Sequence, residues 1–385
     1  MKGLQLLFAK NRGLNHNYRY DKRFNANVFY FQDSVINGAT IKKIICNVNN
    51  YISNFKSIKA PVVFLFQHKN VRIADKLTYV LLECICYELI EFYKIPLQVY
   101  INPASSIDSI GIASSPLMLL NGTSIHRIKE YPQKFKLDVY RNHYRKVIRA
   151  DKLQTNYLGF LQADVATFLK AFDIVDYYRE RVSEVVAELV GNACEHTASD
   201  CLIDIDVTDD HNKSINGREE SGFYYGINLL VVDFSNELIG SALKEKLLDE
   251  QISGKRYKDL KNVYLNHEQF FNVDYNEDDF YNIAVFQDKI SGRKGYSNAG
   301  GTGLTILVKS LEEQSDTNNC YMLSGNKVVY FRDECLNYDD NGWIGFNRNC
   351  DFINERPDPS CIARSNTFCP GTAYNLHFVM RREEK

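Results

Sequence analysis

Residues 179–197 read RERVSEVVAELVGNACEHT and are the most informative stretch of the chain. The face opposite its apolar side chains carries Glu188 and Asn192, which are four residues apart and therefore project together from one side of a helix. The stretch predicts an amphipathic helix that presents a carboxylate beside an amide. Its apolar stripe follows helical spacing: Val182, Val185, Val186, Leu189, Val190 and Ala193.

A carboxylate beside an amide suits nucleotide hydrolysis. The amide oxygen of Asn192 can ligate Mg²⁺, and the carboxylate of Glu188 can orient an attacking water. A plain surface helix would have the same pattern, so this stretch alone leaves both interpretations open.

Residues 224–233, YYGINLLVVD, form a second signal, a long apolar strand that ends in Asp233. A carboxylate in an apolar wall can accept a hydrogen bond from the amino group of adenine, which is a common way to select that base. The strand therefore predicts one edge of an adenine pocket.

The third signal is the glycine-rich stretch at 298–304, NAGGTGL, which is followed by apolar residues at helical spacing. A glycine-rich loop that opens a helix presents backbone N–H groups and the positive end of the helix dipole to phosphate. We therefore expect a phosphate-binding loop formed by Gly300, Gly301, Thr302, Gly303 and Leu304.

The order of these three motifs resembles the GHKL superfamily, which includes the DNA gyrase B subunit, the ninety-kilodalton heat-shock chaperones, sensor histidine kinases and MutL. The resemblance covers residues 150–380 and implies a two-layer α/β sandwich, the Bergerat-type ATP-binding fold. By this likeness Glu188 is the general base, Asn192 the Mg²⁺ ligand and Asp233 the residue that reads adenine. Thr372, after Gly371, would hold the adenine from the other side.

Two features differ from the family pattern. The family's first glycine box is replaced by Asp233 followed by FSNE, which lacks both glycines and restricts the backbone near the base. The segment of about 240–299 is long for the family's mobile ATP lid. It contains Lys255, Arg256, Lys258, Arg293 and Lys294, one of which could reach the γ-phosphate, although a solvated loop is the favoured role for most of them.

The first 125 residues show a different pattern. Strand-like stretches at 28–31, 61–66 and 97–101 alternate with helical spacing at 41–52 and 77–85. This βαβαβ order predicts a small α/β domain with a parallel sheet, and no glycine-rich loop follows any of its strands. The chain as a whole is therefore expected to be α+β, with this domain at 1–125 and the ATP-binding domain at 151–385.

Residues 126–150 are rich in basic side chains and are predicted to connect the two domains. Between 127 and 152 there are nine Lys and Arg residues against three acids. The favoured interpretation is a solvated connector helix. The alternative is a patch that binds nucleic acid or another anionic partner.

Composition limits the remaining possibilities. The 385 residues carry a net charge of −2, so the whole molecule has no strong electrostatic bias toward nucleic acid or membrane. No stretch has the roughly 20 apolar residues of a membrane span and no secretory signal is visible, so we expect a cytoplasmic protein with reduced thiols.

Four of the ten cysteines lie near or within a predicted inserted loop at about 333–370: Cys335, Cys350, Cys361 and Cys369. Four thiolates could bind zinc, but the Cys-x-x-Cys spacing is missing. Reduced thiols packed near the site are the favoured interpretation.

The expected function is Mg²⁺-dependent ATP binding by an ATPase or ATP-driven switch in bacterial signalling or anti-phage defence, acting with a protein partner or as a homodimer. One alternative is a protein kinase of the anti-sigma-factor or histidine-kinase type, although neither His126 nor His143 has the sequence context of a phosphoacceptor. The other is a nucleotide sensor that does not hydrolyse ATP. Glu188 argues against the sensor, because pure binding needs no base.

Overall fold

The computed structural model describes residues 4–13, 17–54, 60–101, 107–109, 112, 114–122, 124–152, 156–211, 214–215, 218–219, 223–249, 254–291, 303–314 and 320–382. The chain divides into two compact units. The first comprises Met1–Val147, Leu202–Thr208 and Asn366–Phe368, and the second comprises Ile148–Cys201, Asp209–Ser365 and Cys369–Lys385. The chain mixes α and β structure, as predicted.

The elements of the first unit alternate between strand and helix. In chain order they are α1 (Leu4–Lys10), β1 (Tyr18–Asp21), β2 (Ala26–Phe31), β3 (Val35–Ile36), α2 (Gly38–Asn54), β4 (Val62–Phe66), β5 (Val71–Ile73), α3 (Lys76–Glu91), β6 (Leu97–Ile101), β7 (Ile107–Ser109), α4 (Ile125–Lys136), β8 (Leu137–Tyr140) and β9 (His143–Ile148).

The predicted βαβαβ arrangement is confirmed. Strands β2, β4 and β6 pair in parallel in that order, and β1 adds an antiparallel edge next to β2. Large side chains of this sheet are buried, and the rings of Phe29 and Phe64 meet edge to face with centroids 5.5 Å apart. Apolar burial of this kind supplies most of the driving force for folding. A feature that the sequence did not indicate is a second parallel sheet of order β3–β5–β7.

The basic segment at 126–150 differs from the solvated helix predicted for it. Only α4 is helical, and β8 and β9 follow as an antiparallel hairpin that lies beside β10 (Cys201–His211). His143 and Arg145 of β9 are 0% and 1% exposed. Their burial requires acidic partners in β10, which lie about 60 residues later in the sequence. A count of charged residues within 127–152 does not include these partners.

The second unit begins with the helices and strands that carry the predicted nucleotide motifs. The elements after β9 other than β10 are α5 (Tyr157–Leu169), α6 (Asp176–Thr197), β11 (Ser214–Ile215), β12 (Arg218–Glu219), β13 (Tyr224–Asp233), α7 (Ser241–Leu248), α8 (Lys255–His267), α9 (Glu277–Ala284), α10 (Gly303–Gln314), β14 (Tyr321–Tyr330) and β15 (Ile362–Arg381).

Helices pack against strands in this unit. Strand β15 lies between β13 and β14 and is antiparallel to both. Helix α6 contacts α5, α10 and β13. The predicted helix at 179–197, the strand at 224–233 and the helix after the glycine-rich loop are all present. Among the described helices, none has the length and hydropathy needed to cross a bilayer.

Two predictions about loops were wrong in detail. The described part of the expected lid, 241–249 and 254–291, contains α7, α8 and α9, whose buried residues include Leu243, Leu260 and Phe280. Arg256 lies 3.2 Å over the ring of Trp343 and donates to the carbonyl of Gly342 at 2.6 Å, so it is not a solvated loop residue. Short-range patterns in this segment were too weak to distinguish three short helices from a loop.

The inserted loop is also shorter than predicted, because β15 begins at Ile362 rather than just after Thr372. The first half of β15 pairs with the second half of β14, for example Val328 with Ala363. The register shifts around Gly325, and this irregularity separates the two halves of the pairing.

Candidate functional site

Asp233 is the last residue of β13, and its side chain is fixed in place. The residue is 6% exposed. One carboxylate oxygen accepts hydrogen bonds from the hydroxyl of Ser199 and from the backbone N–H of Ser235 at 2.7 Å. The other accepts from the hydroxyl of Ser235 at 3.0 Å. The carboxylate predicted to read adenine is therefore held in one orientation.

Strand β15 brings Thr372 beside Asp233. Val232 pairs with Ala373, so the next residues along each strand, Asp233 and Thr372, lie at the same end of the pair. A Cβ atom built on Gly371 would lie 2.3 Å from the backbone oxygen of Asp233, so only glycine fits this close approach. The structure thus brings together two residues that are 139 positions apart in the sequence.

A third strand completes this end of the sheet. Ser324 of β14 pairs with Thr372, and their hydroxyl oxygens are 3.2 Å apart. The same Ser324 hydroxyl accepts from the backbone N–H of Ile239 at 3.0 Å. Ser199, Ser235 and Ser324 had not been singled out in the sequence, because isolated serines carry no periodic signal.

Helix α6 carries Glu188 and Asn192 on its partly buried side, while its apolar stripe is buried. Its end is marked by Ala198, which has a φ of 48°. This left-handed residue turns the chain so that Ser199 can bond to Asp233. The helix that carries Glu188 is therefore tied directly to the Asp233 end of the sheet.

Helix α10 approaches the same helix. The hydroxyl of Tyr177, in the first turn of α6, donates to Glu313, in the last turn of α10, at 3.4 Å. The two helices are also packed against each other. Glu188 lies eleven residues after Tyr177, and Gly303 lies ten residues before Glu313. At 1.5 Å per residue, each lies about 15 Å along its own helix from this contact.

The predicted phosphate-binding loop lies largely outside the described residues. This applies to Gly300, Gly301 and Thr302, and also to Arg293 and Lys294 of the expected lid. Gly303 is the first residue of α10, and Leu304, the next residue, is partly buried.

Neutral groups surround the buried end of the sheet. Burial raises the pKa of the Cys369 thiol to about 12, with a smaller contribution from the charge of Asp233. Burial, followed by nearby acidic groups that include Asp233, raises the pKa of Cys201 well above its ordinary value. Both thiols therefore stay protonated at neutral pH and do not compete with Asp233 as anions.

The four cysteines considered for zinc fall in different places. Cys335 and Cys361 are buried, and a hydrogen bond joins their thiols. Cys369 instead lies close enough to Asp233 to be affected by its charge. Within the described ranges, none of these cysteines belongs to a group of three or more His, Cys, Asp or Glu residues whose ligand atoms could hold a metal ion.

A different group of potential metal ligands lies in the first unit, and it was not singled out in the sequence. Asp204 and Asp206 of β10 and His143 of β9 have ligand atoms within 4.8 Å of one another. All three are at most 1% exposed. The available signal was the pattern CLIDIDV at 201–207, in which two acids alternate with apolar residues in a strand that is otherwise suited to a core.

Cations of the protein already neutralise this cluster. The Lys76 ammonium lies 2.6 Å from a carboxylate oxygen of Asp204 and 2.6 Å from one of Asp206. Arg145 bridges Asp204 and Glu83, and His143 bonds to Asp206 through Nδ1 at 2.8 Å. Lys76 thus takes the position between the carboxylates that a metal ion would need, and the donor set fits a structural ion network better than a metal centre.

The network also shifts the pKa values of its members. Burial favours the neutral form of His143, but the charges of Asp204 and Asp206 and a bond to Asp206 outweigh it and raise the pKa of the imidazole. Burial likewise raises the pKa of Asp204, but Arg145, Lys76 and His143 outweigh this effect and lower it. Lys76 and Arg145 thus lie among the carboxyl groups of Asp204, Asp206 and Glu83 in the core.

Comparisons of the chain with protein-family models, with curated proteins and with solved structures find no match.

Proposed function

We propose that the second unit binds ATP with Mg²⁺ in the manner of the GHKL superfamily and hydrolyses it. The observation that carries the proposal is the convergence of separate motifs. Asp233 and Thr372 lie at one sheet end, Ser199 ties the end of α6 to Asp233, and α10 packs against α6, the helix that carries Glu188. A Bergerat-type fold would place these motifs in the same way, and we propose that fold for residues 151–385.

The residues present fit an adenine nucleotide. Asp233 is a nearly buried acceptor that hydrogen bonds hold in one orientation, which suits an amino group of a base. Thr372, on the neighbouring strand, offers a hydroxyl on the other side. The start of a twelve-residue helix, α10, offers N–H groups for phosphate.

Asn192 and Glu188 would act at the phosphate end. Asn192 would hold Mg²⁺ through its amide oxygen, and the ion would neutralise charge on the phosphates. Glu188, one helical turn earlier, would accept a proton from water and orient that water toward the γ-phosphate. Both side chains are partly buried, which keeps them accessible to solvent and ligand.

The rate of ATP turnover in two variants distinguishes the role of Glu188 as a base from the role of Asn192 as a Mg²⁺ ligand. Glu188→Ala should keep its affinity for ATP and lose most of the rate of phosphate release, because the carboxylate contacts water rather than nucleotide. Asn192→Ala should lose both Mg²⁺-dependent affinity and rate. Glu184→Ala is the matched control, because Glu184 lies one turn earlier on α6 and is 39% exposed in a pair with Arg181.

The same assay distinguishes hydrolysis from phosphotransfer. With ATP labelled at the γ-phosphate, a hydrolase releases inorganic phosphate from the purified chain. Label retained on the chain, without phosphate release, would favour the kinase alternative. His143 is 0% exposed in the ion network, which makes it a poor phosphoacceptor. Normal turnover in Glu188→Ala would refute its assignment as the base.

A further inference from the structure

Strand β8 forms an outer edge of the sheet in the first unit. On one side β8 pairs with β9, and a two-residue turn, Arg141 and Asn142, joins the two strands. Among the described residues, β8 is the last strand in the order of its sheet. Arg141 has a φ of 48°, which is the backbone conformation that a tight hairpin requires. The other side of β8 is therefore available to a further strand.

The side chains of β8 are unusually apolar for an exposed edge. Leu137, Val139 and Tyr140 are 57%, 54% and 56% exposed. Leu137 and Val139 lie on the same face because side chains alternate along a strand. Edge strands commonly carry charges or proline that prevent pairing with other chains, and β8 has neither on this face. Its one acid, Asp138, lies on the other face, is 8% exposed and pairs with Lys134 at 3.1 Å.

The backbone N–H and C=O of Val139 lie on the outer side of β8, where no described strand pairs with it. Tyr140 and His143 flank the turn and so form a hydrogen-bonded pair. Because bonded and non-bonded pairs alternate in an antiparallel ladder, the N–H and C=O of Val139 point away from β9. The N–H of Leu137 is used by α4, since it donates to the carbonyl of Gln133. Val139 is therefore the centre of a short template for an added strand.

The surroundings of β8 are positively charged. Lys136 precedes the strand and Arg141 follows it, and both are exposed. Arg127 and Lys129 are exposed on α4. The acids nearby are Glu130, which is partly buried, and Glu91, which lies 3.9 Å from Lys136. A strand that adds to β8 would meet an excess of positive charge.

We propose that β8 binds an extended acidic segment of another protein, one that carries apolar side chains at alternate positions. Backbone bonds to Val139 supply affinity, Leu137 and Val139 receive the apolar side chains, and Lys136 and Arg141 select acidic residues. A second copy of this chain is a poor occupant. Its own β8 would bring Lys136 and Arg141 to an edge that already has an excess of positive charge, and facing surfaces of like charge repel.

The test uses the full-length chain and fluorescence anisotropy. The probe is a labelled eight-residue peptide of alternating valine and glutamate, and the control peptide alternates valine and lysine. We expect the acidic peptide to bind at least tenfold more tightly than the basic one and to weaken with salt. Val139→Pro, which removes the outward N–H, should lower its affinity at least tenfold, whereas Val139→Thr should retain it.

A second variant tests the proposal even if Val139→Pro does not fold. Lys136→Glu combined with Arg141→Glu changes only exposed side chains and should also lower affinity for the acidic peptide at least tenfold, with an unchanged circular dichroism spectrum. Equal binding of the two peptides, or full affinity in the double variant, would overturn the proposal. So would tighter binding of a labelled single-stranded DNA than of the acidic peptide, or dimerisation of the chain that Val139→Pro abolishes.

Discussion

The acidic residues of β10 and those of the proposed nucleotide site are placed in opposite ways. Asp204 and Asp206 are at most 1% exposed and are matched by Lys76, Arg145 and His143. Glu188 is only partly buried, and Asp233 accepts hydrogen bonds from the hydroxyls of Ser199 and Ser235 and from the backbone N–H of Ser235. Charges that neutralise one another in a core serve stability, whereas a carboxylate fixed at a strand end is suited to a ligand.

The difference shows why burial of ionisable groups alone does not identify a functional site. The cluster of the first unit has three potential metal ligands, yet Lys76 lies between its carboxylates. At the end of β13, hydrogen bonds from Ser199 and Ser235 hold the Asp233 carboxylate in one orientation. The following variants separate a stabilising network from a binding site.

The largest expected effect is in the network. Arg145→Ala leaves Glu83 and Asp204 buried without their shared cation, and we expect it to destabilise the first unit by about 3–5 kcal/mol. Urea unfolding followed by circular dichroism measures this. Fluorescence of Trp343, the single tryptophan, reports on the second unit in the same experiment. Arg23→Ala, at an exposed pair with Asp21, is the control. An equally small change in both variants would contradict a stabilising network.

Glu88 of α3 tests the opposite case, an acid that is buried without a cation. It is 0% exposed, and neither carboxylate oxygen has a hydrogen-bond partner among the described residues. Burial raises its pKa from 4.5 to about 7. The folded state therefore binds a proton that the unfolded chain releases, and the free energy of unfolding falls as pH rises from about 4.5 to 7.

Glu88→Gln should remove this pH dependence. At 1.36 kcal/mol per pKa unit, the variant should be more stable than wild type by up to about 3 kcal/mol at pH 8 and similar to it near pH 4. Urea unfolding at several pH values is the measurement. An identical pH profile in the two proteins would show that Glu88 ionises in the folded chain as it does in water.

A smaller effect is expected at the site of the second unit. Asp233→Ala should weaken ATP binding by roughly 1–3 kcal/mol, about fivefold to 150-fold, because the amino group of the base loses its acceptor. Asp209→Ala, at a residue whose side chain is 57% exposed and paired with Arg382, is the matched control in the same unit. Full ATP affinity in Asp233→Ala would remove Asp233 from the site.

The smallest expected effect concerns the orientation of Asp233. Ser199→Ala removes one donor to its carboxylate, and we expect a loss of about 0.5–1.5 kcal/mol in ATP affinity. Ser199→Thr keeps the hydroxyl and should restore most of that affinity. Comparison of ATP with GTP in both variants shows whether the hydroxyl affects base selection or only overall stability.

Local periodicity predicted the elements whose partners are near in sequence or whose apolar pattern is long. The βαβαβ order, the helix of 179–197 and the strand of 224–233 were all correct. The roles of Asp233 and Thr372 at an adenine site stay predictions. The ion network was not predictable, because Lys76, Arg145 and Asp204 are far apart in the sequence and each resembles a surface residue when taken alone.

The most direct test of ATP binding is calorimetric titration of the wild-type chain with ATP and with GTP, each with Mg²⁺ and with a chelator. We expect ATP to bind more tightly than GTP, and its affinity to fall when Mg²⁺ is removed. An absence of ATP binding, or equal affinity for the two nucleotides, would contradict the assignment of Asp233 and its neighbours as an adenine nucleotide site.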